Sequence, residues 1–92
     1  MDSISELLKS NETLVVDVRS HEEFVGGHVD GSINIPLNLI PLRVDELKGK
    51  GHIVLCCASG SRSGQATSFL RQYGIECTNA GAWTNVEYYK NN

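Results

Sequence analysis

Two nearly continuous apolar runs dominate the pattern of hydrophobic and polar positions along the chain. They cover residues 13–18 and 52–56, and both contain β-branched side chains. An apolar run of this kind predicts a strand that is buried on both faces, as the strands of a parallel sheet are. Two shorter strands are predicted, one within residues 29–36, where Pro36 ends it, and one over residues 75–78.

The segments between these runs have the sequence features of helices. Ser20 and Glu23 have the spacing of a capping box, in which a serine and a glutamate three residues later satisfy each other's backbone N–H groups. A short helix should follow Ser20 and end at the next pair of glycines. Ser3 and Glu6 have the same spacing and predict a helix over about residues 3–10.

Longer helices are predicted over residues 63–73 and from Trp83 onward. Residues 37–48 have many apolar positions but include Pro41, so a broken or short helical segment is expected there. This alternation predicts an α/β fold, with a central, mostly parallel sheet of four to five strands and helices on both faces. Residues 1–92 should form a single domain, because a chain of this length has room for one core.

Composition and charge exclude several classes of protein. With 40 % hydrophobic and 21 % charged residues, the chain is typical of globular rather than disordered proteins. Its net charge of −3 argues against a nucleic-acid partner. No apolar run approaches the ~20 residues of a membrane span, and no signal peptide is recognisable. We therefore expect no membrane association, and a cytoplasmic location, or a periplasmic one if a signal peptide has been removed.

The three cysteines are expected to be free thiols. Their number is odd, and Cys56 and Cys57 are adjacent, a spacing that strains a disulfide. The third is Cys77, and the chain contains neither a C-x-x-C pair nor clustered histidines. No metal site and no cofactor are therefore predicted.

The most informative segment is the loop that follows the second long strand. Residues 57–63 read Cys-Ala-Ser-Gly-Ser-Arg-Ser and lead into a predicted helix. Small residues around Gly60 allow successive backbone N–H groups to point inward as an anion-binding nest, and the helix start and Arg62 add positive potential. A thiolate of Cys57 would be stabilised there, whereas Cys56 and Cys77 are expected to pack as small apolar residues.

Four segments, in order along nearly the whole chain, carry a resemblance to a known family. They are Leu14–Arg19 with Glu22–Phe24, Gly27–Pro36, Cys57–Ser63 and Asn79–Trp83. Together they resemble the single-domain rhodaneses, a family of sulfurtransferases, and in particular small bacterial members of the phage shock protein E type. The resemblance implies a rhodanese fold.

The resemblance also implies a mechanism. The Cys57 thiolate would take the outer sulfur of thiosulfate or a persulfide donor and hold it as a persulfide. Cyanide or an acceptor thiol, which could belong to a partner protein, would then remove the sulfur. The substrate-binding residues would be those of the loop: Ala58, Ser59, Gly60, Ser61, Arg62 and Ser63. The partners expected are a small anionic sulfur donor and a thiol acceptor.

Two alternatives remain open from the sequence. The chain could be a persulfide carrier that binds a partner and relays sulfur. It could also be a phosphatase or arsenate reductase, because Cys56 and Arg62 have the C-x5-R spacing, whereas Cys57 and Arg62 have C-x4-R. Leu55 counts against the latter, since the related phosphatases usually have histidine there.

Residues near the end of the first strand are candidates for supporting roles. Asp17 should be buried and paired with Arg19, Arg62 or a helix N-terminus, and a structural ion pair is favoured over catalysis. Arg19 could face substrate or be structural. Glu23 is expected to close its capping box, and His28 to tie turns together as its equivalent does in the family.

Overall fold

Residues 4–91, which the computed structural model describes, form a four-stranded, all-parallel sheet. The strands are β1 Thr13–Asp17, β2 Ile33–Asn34, β3 His52–Cys57 and β4 Cys77–Ala82, in the spatial order β2-β1-β3-β4. The two long apolar runs became the two central strands, as their continuous hydrophobicity predicts. The parallel sheet is therefore confirmed, at the lower of the two predicted strand numbers.

The helices alternate with the strands. They are α1 Ile4–Leu8, α2 His21–Val25, α3 Val44–Leu47, α4 Ser61–Arg71 and α5 Trp83–Lys90, with a 3₁₀ helix over Leu37–Leu42. The 3₁₀ helix contains Pro41 and is the broken segment that the sequence predicted. The capping box of Ser20 and Glu23 is present at the start of α2, whereas Ser3 of the other predicted box lies outside the described residues. In residues 4–91 every helix is too short to cross a membrane.

The sheet has an apolar core on each of its faces. Neighbouring residues of a strand point to opposite faces, so Val54 and Leu55 of β3 belong to different cores. The core on the Leu55 side includes Leu70 of α4 and residues of α3 and the 3₁₀ helix. The core on the Val54 side includes Val86 of α5 and Leu7 of α1. Helices therefore cover both faces, as predicted.

Two element boundaries differ from the sequence prediction. Strand β4 was expected over residues 75–78 but runs from Cys77 to Ala82, because its pairing with β3 continues through a bulge despite Gly81, a poor strand former. Helix α4 was expected from Ser63 but begins at Ser61, because Gly60 adopts φ +104° and turns the chain directly into the helix. Arg62 and Ser63 therefore lie on the first helical turn rather than in the loop.

Candidate active site

The site lies where the central strands end. Strand β1 ends at Asp17 and β3 at Cys57, and parallel strands present their carboxyl ends at the same edge of a sheet. The loop after Cys57 is short, so the N-terminus of α4 follows within a few residues. The β3 strand thus delivers Cys57 to the N-terminus of an 11-residue helix, whose free N–H groups favour a negative charge.

Hydrogen bonds converge on the Cys57 sulfur. The Gly60 N–H donates to Sγ at 2.9 Å, and the Ser63 hydroxyl lies 3.4 Å from the same atom. Burial by itself raises the pKa of this thiol. The hydrogen bonds from the Ser63 hydroxyl and from the N–H groups of Ser63, Gly60 and Ser59 outweigh burial, and they lower the pKa of Cys57 to about 7. A large fraction of the thiol is therefore ionised near neutral pH.

Gly60 is required for this arrangement. A Cβ atom at position 60 would stand 3.2 Å from the Cα of Gly81, and the φ of +104° disfavours any other residue. The close approach of Gly60 to β4 lets its N–H point back at the sulfur while its carbonyl faces Asn79.

Asn79 of β4 stabilises the loop through hydrogen bonds, a role that local sequence patterns did not indicate. Its Nδ2 donates to the Gly60 carbonyl at 3.1 Å, and its Oδ1 accepts from the Ser63 hydroxyl at 2.6 Å. The Gly81 N–H also donates to Oδ1, at 2.9 Å. Since Ser63 has a single hydroxyl proton, Asn79 and the Cys57 thiolate compete for it. The sequence pointed to Asn79 only through its position in the last of the four segments that carry the family resemblance.

The Cys57 sulfur lies beneath the loop. Cys57 has an exposed fraction of 0 %, whereas Ala58, Ser59 and Ser61 are exposed and form the rim. A cavity of about 350 Å³ beside the loop is lined by Arg62 together with Ser20 and residues of the 3₁₀ segment. A larger cavity, of about 570 Å³, is lined by Thr13 and His52, which begin β1 and β3. It therefore lies at the opposite end of the strands and takes no part in this site.

Arg62 makes an ion pair with Glu23 of α2. Its two terminal nitrogens lie 2.7 Å and 3.1 Å from the two carboxylate oxygens. Arg62 and then the Ser20 backbone N–H lower the pKa of Glu23 to about 2, so this carboxyl is ionised at neutral pH. The sequence indicated only the capping role of Glu23, because its second partner is 39 residues away in the chain.

Asp17 and Arg19 form a buried structural ion pair. Arg19 Nη2 lies 2.7 Å from Asp17 Oδ2, and the two side chains are 6 % and 0 % exposed. The same Nη2 donates to the Gly27 carbonyl at 2.7 Å, and the guanidinium lies 4.9 Å from the ring centroid of Trp83. These contacts favour the structural interpretation of Arg19 over the substrate-facing one. They join the end of β1 to the turn after α2 and to α5.

His28 also has structural contacts. Its ring stacks on Phe24 with the ring centroids 3.8 Å apart, and its Nδ1 lies 2.7 Å from the Phe24 carbonyl oxygen. This ring holds the chain after α2 against the helix.

The other two thiols differ from Cys57 in having a raised pKa. Cys56 faces the core opposite to that of Cys57, beside Val54 and Val86. Burial, and next the Asp17 carboxylate, raise its pKa to about 12. Burial also raises the pKa of Cys77. This placement counts against the C-x5-R alternative, because Cys56 lies in the core on the face of the sheet opposite to that of Cys57.

We expect the alkylation rate of Cys57 to follow the ionisation of its thiol. With iodoacetamide the rate should rise with pH through a midpoint near 7 and level off above it, since only the thiolate reacts. Ser63→Ala should move the midpoint upward by about one pH unit, because a hydrogen bond to the thiolate is lost. Ser61→Ala is the matched control on the same helical turn and should leave the midpoint unchanged. An unshifted midpoint in Ser63→Ala would show that the hydroxyl serves Asn79 alone.

The fold and site together define an α/β protein with an activated thiol at the N-terminus of a helix. The chain belongs to the rhodanese-like domain family, whose pattern matches residues 1–91. It is 36 % identical, over 79 % of its length, to a sulfurtransferase of Allochromatium vinosum. It is similar in structure to a human single-domain sulfurtransferase, with a TM-score of 0.72 and 29 % identity over 89 % of this chain and 87 % of the human one.

The chain corresponds to only part of some relatives. It covers 69 % of the Allochromatium protein but 42 % of YrkF, a candidate sulfur carrier protein of Bacillus subtilis to which it is 31 % identical over 83 % of its length. The chain thus spans less than half of that carrier. The family membership agrees with the resemblance seen in the four sequence segments.

Proposed function

We propose that this protein transfers sulfane sulfur through a persulfide on Cys57. The observation that carries the proposal is the geometry at Cys57 Sγ, where a strand end, the Gly60 N–H at 2.9 Å and the start of α4 converge. These groups favour a negative charge on sulfur. The same charge is present on the attacking thiolate and on the outer sulfur of an ionised persulfide.

The reaction has two half-reactions. In the first, the Cys57 thiolate forms an S–S bond with the outer sulfur of thiosulfate, the bond to the inner sulfur breaks, and sulfite leaves with that electron pair. In the second, cyanide or an acceptor thiolate attacks the outer sulfur of the persulfide, and the Cys57 thiolate leaves. This sequence predicts ping-pong kinetics.

The loop supports both half-reactions. An S–S bond of about 2.05 Å carries the transferred sulfur outward from the buried Cys57 Sγ. The atom that the acceptor must reach therefore lies nearer the exposed rim than the thiol itself. The exposed rim residues Ala58, Ser59 and Ser61 would then contact the sulfur donor and the acceptor.

The proposal is tested by mass spectrometry of the intact protein after treatment with thiosulfate. Wild type should gain one sulfur atom, which cyanide removes with release of thiocyanate. Cys57→Ser should gain none, whereas Cys56→Ala should gain one, because Cys56 faces the opposite core. A persulfide that persists in Cys57→Ser would overturn the assignment.

A carrier function is the second candidate, and the similarity to the candidate sulfur carrier of Bacillus subtilis favours it. A carrier would form the same Cys57 persulfide but would deliver its sulfur to one partner protein. Slow steady-state turnover with cyanide, together with fast transfer of the sulfur to a protein thiol, would identify a carrier. Fast turnover with both small acceptors would identify an enzyme.

A further inference from the structure

The positive charge that closes the loop is neutralised within the protein. Arg62 is the one cationic side chain in the segment 57–63, and Glu23 binds its guanidinium with both carboxylate oxygens. The two side chains are 35 % and 38 % exposed, so the pair is not part of the core. It lies on the solvent-accessible side of the site, beside the exposed rim of the loop, and this side is called the mouth of the site. The mouth therefore presents a positive and a negative charge side by side.

Glu23 cannot swing away from Arg62 without losing its own hydrogen bonds to the N-cap of α2. Its Oε1 accepts hydrogen bonds from the backbone N–H and the hydroxyl of Ser20, both at 3.1 Å. Both are contacts of Ser20, the N-cap of α2. The position of the carboxylate is thus determined by a helix cap, and the neutralisation of Arg62 is a built-in property of the site.

This pairing changes which donors the site favours. The N–H groups around Cys57 and the start of α4 stabilise one negative charge at the reacting sulfur. A second negative charge on the donor would be attracted by the Arg62 guanidinium and repelled by the Glu23 carboxylate, and these two interactions largely cancel. A doubly charged donor therefore gains little over a singly charged one, although an unpaired arginine would have favoured it.

We propose that Glu23 is a specificity-determining residue that lowers the preference of the site for doubly charged thiosulfate over singly charged sulfane-sulfur donors. A thiol hydropersulfide carries at most one negative charge on its two sulfur atoms and is therefore one of the less charged donors. Its outer sulfur forms the S–S bond with the Cys57 thiolate, and the thiolate of the donor leaves with the electron pair of the broken bond. This inference rests on the proposed function of Cys57.

Two small donors test the inference because they transfer the same sulfur and differ by one charge. Thiosulfate is a dianion that releases sulfite, and methanethiosulfonate is a monoanion that releases methanesulfinate. With cyanide as the common acceptor, kcat/KM for each donor reports the first half-reaction alone. The measured quantity is the ratio of kcat/KM for thiosulfate to kcat/KM for methanethiosulfonate.

Glu23→Gln removes the charge and keeps the cap, since glutamine also serves in capping boxes. The ratio should rise by about fivefold, as expected when one unit of negative charge is removed beside a partly solvated site. Thiosulfate turnover by the variant should also fall more steeply with added salt than that of wild type, because Arg62 is then unpaired. Glu22→Gln is the matched control: Glu22 is exposed on the same helix, and its loss should change the ratio by less than about twofold.

The outcomes separate this inference from the proposed function. If both donors place a sulfur on Cys57 but the ratio is unchanged in Glu23→Gln, the role of Glu23 is overturned and the function of Cys57 stands. An equal rise in Glu22→Gln would also overturn it, because the effect would then belong to the net charge of the protein. If neither donor places a sulfur on Cys57, the proposed function fails and the inference fails with it.

Discussion

Replacing Cys57 with serine is expected to lower sulfur transfer from thiosulfate to cyanide by about a thousandfold or more. A serine hydroxyl is almost un-ionised at neutral pH and forms no persulfide, so the first half-reaction has no nucleophile. The substitution preserves size, and a serine oxygen can still accept from the Gly60 N–H that now meets the sulfur at 2.9 Å. The loss should therefore appear in kcat/KM without a loss of folded protein, and thermal unfolding monitored by circular dichroism checks the latter.

Cys56→Ala is the matched control for this prediction. Cys56 precedes Cys57 directly but lies in the core on the other face of the sheet, with a pKa of about 12. Its removal should leave kcat/KM within about twofold of wild type, at a cost in stability of about 1–2 kcal/mol for the small cavity. A loss of activity in Cys56→Ala with activity retained in Cys57→Ser would reverse the assignment of the nucleophile.

The second large effect is expected on stability. Asp17→Asn should lower the free energy of unfolding by about 3 kcal/mol, because it leaves the Arg19 guanidinium buried without a counter-charge. That is a large fraction of the roughly 5–15 kcal/mol typical of a domain. The pair is 0 % and 6 % exposed, with the charged atoms 2.7 Å apart. Urea unfolding at neutral pH measures the change as a lower midpoint at constant slope.

An exposed ion pair serves as the comparison. Asp45 lies 3.8 Å from Lys48, and its side chain is 98 % exposed. Asp45→Asn should change the free energy of unfolding by less than about 0.5 kcal/mol, since water replaces the partner. Combining Asp17→Asn with Arg19→Met should cost less than the sum of the two single changes, because both buried charges are then removed. Additive costs would show that the two side chains stabilise the fold independently.

Local sequence determined most of the elements and predicted Cys57 as the candidate nucleophile. The apolar runs became β1 and β3, because strands covered on both faces need apolar residues at successive positions. The capping box of α2 depends on residues three apart, so its spacing alone predicts it. The order strand, cysteine, glycine loop and helix likewise singled out Cys57, since a helix N-terminus favours an anion wherever it occurs.

Only the tertiary structure decided which side chains meet around that thiol. Arg62 pairs with Glu23 across 39 residues, and Ser63 with Asn79 across 16. The latter contact depends on the register of β4, in which Asn79 lies opposite Leu55 of β3, directly before the bulge. Periodicity in a sequence specifies an element and its buried face, but it carries no information on register between strands or on which loops meet at the edge of a sheet. The pairing of charges at the mouth of the site therefore depends on tertiary packing, whereas Cys57 can be proposed as the nucleophile from the sequence alone.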